Sequence, residues 1–258
     1  MPHLSTPSIA SNFRDGLRKV GKLGRLTRRP VYVSALRHGV AAAVEHDRIP
    51  FAHDFATVID VGAGRGQFAL VARRRFASAS LHCFEPLPEA RDKLVALVGS
   101  RRDVRIYGFA LGSTGTSAQL HISAKGDSSS LLPITPRQVE AFPGTGERDR
   151  MVVRQARLDE VMEADRLAAP TLLKIDVQGY ELEVLRGAEH VLHLMDEILV
   201  ECSFAELYAD QPLVDGVVCH LQSKGFVPAG VFSVVHDRAG RCLQADFLFQ
   251  RSSTRATG

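Results

Sequence analysis

At 258 residues, 45% hydrophobic and 24% charged, the chain has the make-up of a soluble protein with a full-sized core, and it is read as one α/β domain with appendages. The net charge of +3 is uneven: residues 1–30 hold seven Arg or Lys against Asp15 alone, which leaves the remainder mildly acidic. With no Trp and only four Tyr, that body argues against nucleic-acid binding, which needs a concentrated basic surface and stacking aromatics.

In chain order, residues 1–50 are expected to form a basic N-terminal arm or helical extension. Leu17, Val20 and Leu26 lie among its cations, but Gly16, Gly21 and Gly24 interrupt it, which argues against a long membrane-lying helix. No apolar run approaches the ~20 residues of a membrane span and no signal-peptide segment is evident, so a cytoplasmic location is expected. The main domain is assigned to residues 51–252, with 253–258 a disordered tail.

Thr57, Val58 and Ile59 are β-branched and read as the end of a doubly buried strand, with the chain turning at Asp60. Gly62, Ala63, Gly64 and Gly66 form a glycine loop in which missing Cβ atoms let a ligand approach the backbone. A helix follows from Gln67, its apolar face marked by Phe68, Val71, Ala72 and Phe76. The spacing is not the GxGxxG of dinucleotide binders. A carboxylate ahead of the loop, Asp60, repels a pyrophosphate but suits the cationic amino acid tail of S-adenosylmethionine.

The next strand, 81–86, ends in Glu85, placed to accept hydrogen bonds from a ribose diol, and Pro86 stops it. A crossover helix begins at Pro88 and stops at Gly99. Residues 104–112 read as a third strand whose end, Ala110 and Leu111, faces an adenine ring. From about 113 to 157 the periodicity weakens and a lid-like insertion is expected. Its serines Ser128, Ser129 and Ser130 either contact a polar substrate or decorate a mobile loop. Residues 151–162 bring an edge strand and a short helix.

A fourth core strand, 172–177, carries Asp176 at its carboxyl end; a helix over 181–195 and a fifth strand, 197–202, with Glu201, follow. A helix from Pro212 to Lys224 precedes two strands, 225–237 and 242–250, whose tight connection makes them antiparallel. The pattern is a Rossmann-like α/β fold, a mostly parallel sheet with an antiparallel C-terminal strand and helices on both faces. Asp60, Glu85, Asp176 and Glu201 all reach the sheet edge where such folds bind ligands.

The segment LLKIDVQGYELEVLRGAEHVL, 172–192, resembles the LKIDVEGxExxVLxGA motif of the FkbM-type methyltransferases, with Gln178 where Glu is usual. VIDVGAGRGQFA, FEPLPEA, SSSLL and ILVEC resemble further motifs of that family in the same order, over roughly residues 54–250. The resemblance implies a seven-stranded class I fold, S-adenosylmethionine as cofactor, and methylation of a hydroxyl on a small molecule, often a sugar or secondary metabolite. The candidate cofactor residues are Asp60, Gly62, Ala63, Gly64, Gly66, Glu85, Pro86, Ala110, Leu111 and Asp176.

Removing a hydroxyl proton needs a base, and Asp176 is the first candidate. Lys174, two residues earlier on the same side of the strand, weakens it as a base, so orienting the acceptor or the cofactor's amino group is its other role. Glu201 and His236 are further catalytic candidates, with Glu181 behind them. Two acids, Asp176 and Glu201, do not make a metal site, and none is assigned. Cys83, Cys202, Cys219 and Cys242 form no CxxC pair and are expected to be buried thiols. His190 and His193 read as polar helix positions. The alternatives are an NAD(P)-dependent oxidoreductase on a Rossmann domain and a non-catalytic binding protein that kept the fold; a homodimer is left open.

Overall fold

The computed structural model describes residues 29–162 and 167–252. Most of the basic arm, residues 1–28, and the tail 253–258 therefore lie outside the described residues.

The described chain opens with helix α1 (Pro30–Arg37), which has proline in its first turn. The segment is anchored to the body: the buried Tyr32 hydroxyl donates to Asp47 Oδ1 at 3.0 Å, and Arg74 donates to the Tyr32 oxygen at 3.0 Å and pairs with Asp47 at 2.5 Å. Strand β1 (Thr57–Val61) and helix α2 (Gln67–Arg75) flank the glycine loop. β1 runs through Asp60 to Val61 and turns at Gly62, two residues later than the sequence reading placed the turn. β2 (Ser80–Phe84), α3 (Pro88–Val98) and β3 (Val104–Tyr107) come next.

The strand expected over 104–112 divides, since β4 (Ala110–Leu111) belongs to a second sheet with β5 (Ser117–Ser123) and β6 (Glu147–Ala156). Short helix α4 (Pro136–Ala141) lies between β5 and β6. Much of the insertion is thus built structure, with Leu120, Ile122 and Val153 buried against Leu87, Ala90 and Ala110. Ser130 is buried, donating to Gln178 O at 2.6 Å and accepting from Leu132 N at 3.0 Å, which anchors the serine segment.

After the turn of helix α5 (Leu158–Val161), β7 (Thr171–Ile175), α6 (Glu181–Arg186), β8 (Glu197–Ser203), α7 (Val214–Ser223), β9 (Phe226–His236) and β10 (Cys242–Arg251) complete the fold. The helix expected over 181–195 stops at Arg186. A Cβ on Gly187 would lie 1.9 Å from Gly112 O, so the chain turns against the insertion before a 3-10 turn at Leu192–Leu194.

The main sheet has seven strands in the order β3-β2-β1-β7-β8-β10-β9, parallel except for β10, which is antiparallel to both neighbours. Strand alternation divides the core. Ile59, Leu173, Ile198 and Val200 pack on the face of α6 and α7, while Val58, Leu172, Leu199 and Leu248 pack on the face of α2 and α3. Cys83 and Cys202 are buried as expected, but Cys219, within α7, is exposed and Cys242, the first residue of β10, is half-buried. Among the described residues, no helix is long and apolar enough to cross a membrane.

Candidate active site

The glycine loop is shaped by close backbone packing at the ends of β1 and β7. Gly62 has φ +73°, and a Cβ there would lie 1.9 Å from Asp176 O, so no other residue fits. The Gly62 and Ala63 amides donate to Phe84 O at 3.1 and 3.0 Å, tying the loop to the end of β2. Gly64, at φ +54°, donates its amide to Glu85 Oε2 at 2.8 Å.

This loop floors a cavity of about 530 Å³ at the carboxyl ends of the parallel strands, within the usual range for small-molecule sites. Gly62, Ala63, Gly64, Glu85, Pro86, Ala110, Leu111, Asp176 and Glu201 all line it. Gly66, His236, Asp60 and the reserve candidate Glu181 do not. Gly66 turns toward α3, where a Cβ would meet Leu94 Cδ1 at 3.0 Å, so its role is helix packing. His236 is exposed at the end of β9, where Ser233 and Val235 line the cavity instead. Asp60 is fully buried beneath the floor, so its partner is another protein group rather than a ligand.

That partner is Lys174, its cross-strand neighbour on β7. Lys174 Nζ lies 3.1 Å from Asp60 Oδ1, 3.7 Å from Asp176 Oδ2, and donates to Gly62 O at 3.2 Å. The Asp60 contact is an ion pair outside good hydrogen-bond angles, and neither Asp60 oxygen accepts a hydrogen bond. Burial pushes the Asp60 carboxyl up, an effect Lys174 partly offsets. For Lys174 burial works against the ammonium, but Asp60 and Asp176 outweigh it and hold its proton more firmly than usual. The lysine thus sits between a buried acid and a cavity acid.

Glu85 is buried; beyond the Gly64 contact, its Oε1 accepts from Leu87 N at 2.7 Å. Burial raises its carboxyl to about 7, against the pull of those two amides. Each oxygen keeps a second lone pair for a ligand. Glu181 also rises to about 7 on burial, but it accepts from Val177 N at 3.2 Å and Gly179 N at 3.0 Å and so pins the turn after β7 instead of facing the cavity.

On the opposite wall Asp176 and Glu201 are bridged by Gln178, whose Nε2 donates to Asp176 Oδ1 at 2.7 Å and Glu201 Oε2 at 3.0 Å. Gln244 donates to Glu201 Oε1. Burial, then the neighbouring Asp176 and Asp246, push the Glu201 carboxyl well up from the ordinary glutamate range. Among the described residues no cluster of three His, Cys, Asp or Glu is arranged to hold a metal ion.

Sequence reasoning missed several cavity residues. His46 Nε2 and Asp246 Oδ2 lie 3.0 Å apart across 200 positions of chain, and both line the cavity. Asp246 interrupts the apolar run of β10, a visible sign, but nothing local pairs it with a histidine in the N-terminal segment. Tyr208, buried behind the cavity wall and donating to Gln178 Oε1 at 2.8 Å, left no sequence signal.

Residues 60–228 match the model of the methyltransferase FkbM domain. A hexuronic acid methyltransferase, AglP, of Haloferax volcanii is 25% identical over 142 residues, 55% of this chain and 54% of that protein, so the chain spans about half of that relative's length. The 2-O-methyltransferase NoeI of Sinorhizobium fredii is 25% identical over 160 residues, 60% of this chain and 66% of that protein. The crystal structure of an FkbM methyltransferase from Methylobacillus flagellatus superposes with a TM-score of 0.52 at 14% identity, covering 92% of this chain and 60% of that one, and shows a shared fold. The family match begins at the buried Asp60, takes in the glycine loop, Glu85, Asp176 and Glu201, and covers more than half of the sequence; the chain belongs to the FkbM methyltransferase family.

Proposed function

We propose that the chain is an S-adenosylmethionine-dependent O-methyltransferase acting on a hydroxyl of a small molecule, a sugar or secondary metabolite. The observation that carries this reading is one cavity with two chemically different ends: a glycine cradle beside the buried Glu85 carboxylate, and the Asp176–Gln178–Glu201 wall. The residues present fit the cofactor. Gly62, Ala63 and Gly64 present backbone to the cavity at the loop, Glu85 has lone pairs for a ribose diol, and Ala110 and Leu111 offer an apolar surface for a flat heterocycle.

When bound, the cofactor supplies a methyl group on a sulfonium, an electrophile that needs no further activation. The protein's part is alignment and deprotonation. Holding both reactants in line is worth on the order of 7–11 kcal/mol, and a positioned base a further ~10²–10⁴-fold. Asp176, its side chain about one-third exposed in the cavity, accepts the hydroxyl proton; Glu201 beside it takes part in a hydrogen bond that orients the acceptor. The acids around this wall also suit a cationic sulfonium. The names of the two sugar- or hydroxyl-directed relatives support a hydroxyl acceptor.

Calorimetry with S-adenosylmethionine, followed by transfer of a labelled methyl group to a panel of glycosides and uronic acids and to cell extract, tests the proposal. Binding and a labelled product lost in Asp176→Ala are expected. A folded protein that binds no S-adenosylmethionine overturns it.

A further inference from the structure

Gln178, in the cavity wall, is held on both its backbone and its side chain. Its φ of 58° lies in the left-handed region that non-glycine residues rarely adopt, and four hydrogen bonds hold it there. Ser130 Oγ donates to its carbonyl at 2.6 Å, Tyr208 donates to Oε1 at 2.8 Å, and Nε2 faces the two acids. The amide orientation follows from the two acids, because only the nitrogen offers two protons to two acceptors; the single Tyr208 proton is shared between Gln178 Oε1 and Ser128 O at 3.1 Å.

Like charges brought side by side suppress each other's ionisation. Asp176 and Glu201 stand at the ends of neighbouring strands among further acids: Asp60 on β1, Glu181 on α6, and Asp246 on β10 opposite Glu201. The cation facing them is Lys174, 3.7 Å from Asp176, while His46 faces Asp246 and the neutral Gln244 and Tyr208 complete the surroundings. A titratable group between the two carboxylates would add a charge or need a proton of its own. An amide does neither.

We infer that Gln178 is a positioning residue, whose amide holds Asp176 and Glu201 side by side without titrating and so sets the pH at which this pair takes up a proton. Its consequence for catalysis rests on the methyl-transfer reading above; its effect on the pair does not. The acids' mutual repulsion, seen in the upward push on Glu201 from Asp176, is consistent with it.

Carbon-13 NMR of carboxyl-labelled protein without added ligand, followed across pH, tests this, with Asp176→Asn and Glu201→Gln identifying the two signals. Gln178→Glu is expected to raise the lower titration midpoint of the pair by about one pH unit or more, through the added charge and the lost donors together. Gln178→Ala, which loses the donors without adding a charge, is expected to move it the same way by less, and it carries the test should Gln178→Glu fail to fold. Midpoints unchanged in both variants overturn the inference. In labelled-methyl transfer to methyl glucuronide and to cell extract, the acidic limb of the rate profile follows the same displacement; activity lowered equally at every pH, with the limb in place, assigns Gln178 a merely structural role and overturns the inference. Moved midpoints without methyl transfer by the wild type leave the inference standing and remove the methyl-transfer reading.

Discussion

Replacing Lys174 by methionine keeps most of the side-chain volume but removes the cation between Asp60 and Asp176. Asp60 is fully buried, neither of its oxygens accepts a hydrogen bond, and Lys174 is its ion-pair partner, so the variant strands an acid in the core. Breaking a buried pair from one side costs about 3–5 kcal/mol, a large part of the roughly 5–15 kcal/mol that holds a typical domain together. At about 2–4 °C per kcal/mol, the midpoint of thermal unfolding should fall by roughly 6–20 °C. The loss also depends on pH. Asp60 is pushed above its ordinary 3.8, and more so without the lysine, so the folded variant binds a proton that the unfolded chain has released. Its stability therefore declines as pH rises above the ordinary aspartate value, and urea unfolding should show a larger deficit at pH 8 than at pH 5. Lys174 itself holds its proton more firmly than usual, so its own contribution stays constant across that window. Asp60→Asn added to Lys174→Met should recover most of the loss. A deficit below about 1 kcal/mol, or one equal at both pH values, refutes the reasoning.

Gly62→Ala puts a methyl 1.9 Å from Asp176 O at φ +73°; it should cost at least ~2 kcal/mol in urea unfolding and weaken S-adenosylmethionine binding more than tenfold by calorimetry. Glu85 carries a carboxyl raised to about 7, so it contributes a decline in the stability of the ligand-free protein as pH rises from 4.5 to 7. Glu85→Gln should flatten that slope in thermal unfolding and also weaken the cofactor by removing a ribose acceptor. His236→Ala, at an exposed site outside the cavity, should change cofactor affinity less than twofold in the same calorimetry.

Where the function of a residue is local, the sequence made it legible. The β1 strand, its glycines and the α2 face announce themselves within twenty residues, and strand-terminal acids such as Glu85 and Asp176 are recognisable because a charge ends an apolar run. Asp60 looked the same by that criterion, yet strand alternation aims it at Lys174 under the floor, and only the register between β1 and β7 reveals the pair. The insertion is legible only in part: the edge strand read within residues 151–162 is the second half of β6, whereas its pairing with β5 is hidden because a turn-rich stretch separates the two and they bury only a few apolar side chains. His46 meets Asp246 and Tyr208 meets Gln178 through tertiary packing alone, which no local pattern encodes.

The central claim is that one cavity joins a nucleoside-binding glycine cradle to a pair of acceptor-facing acids. Its most direct test is a crystal structure of the protein with S-adenosylhomocysteine. The account predicts the ribose hydroxyls within hydrogen-bond distance of Glu85 and the sulfur aimed at the space in front of Asp176 and Gln178. A nucleoside bound elsewhere, or a sulfur turned away from Asp176, would contradict it.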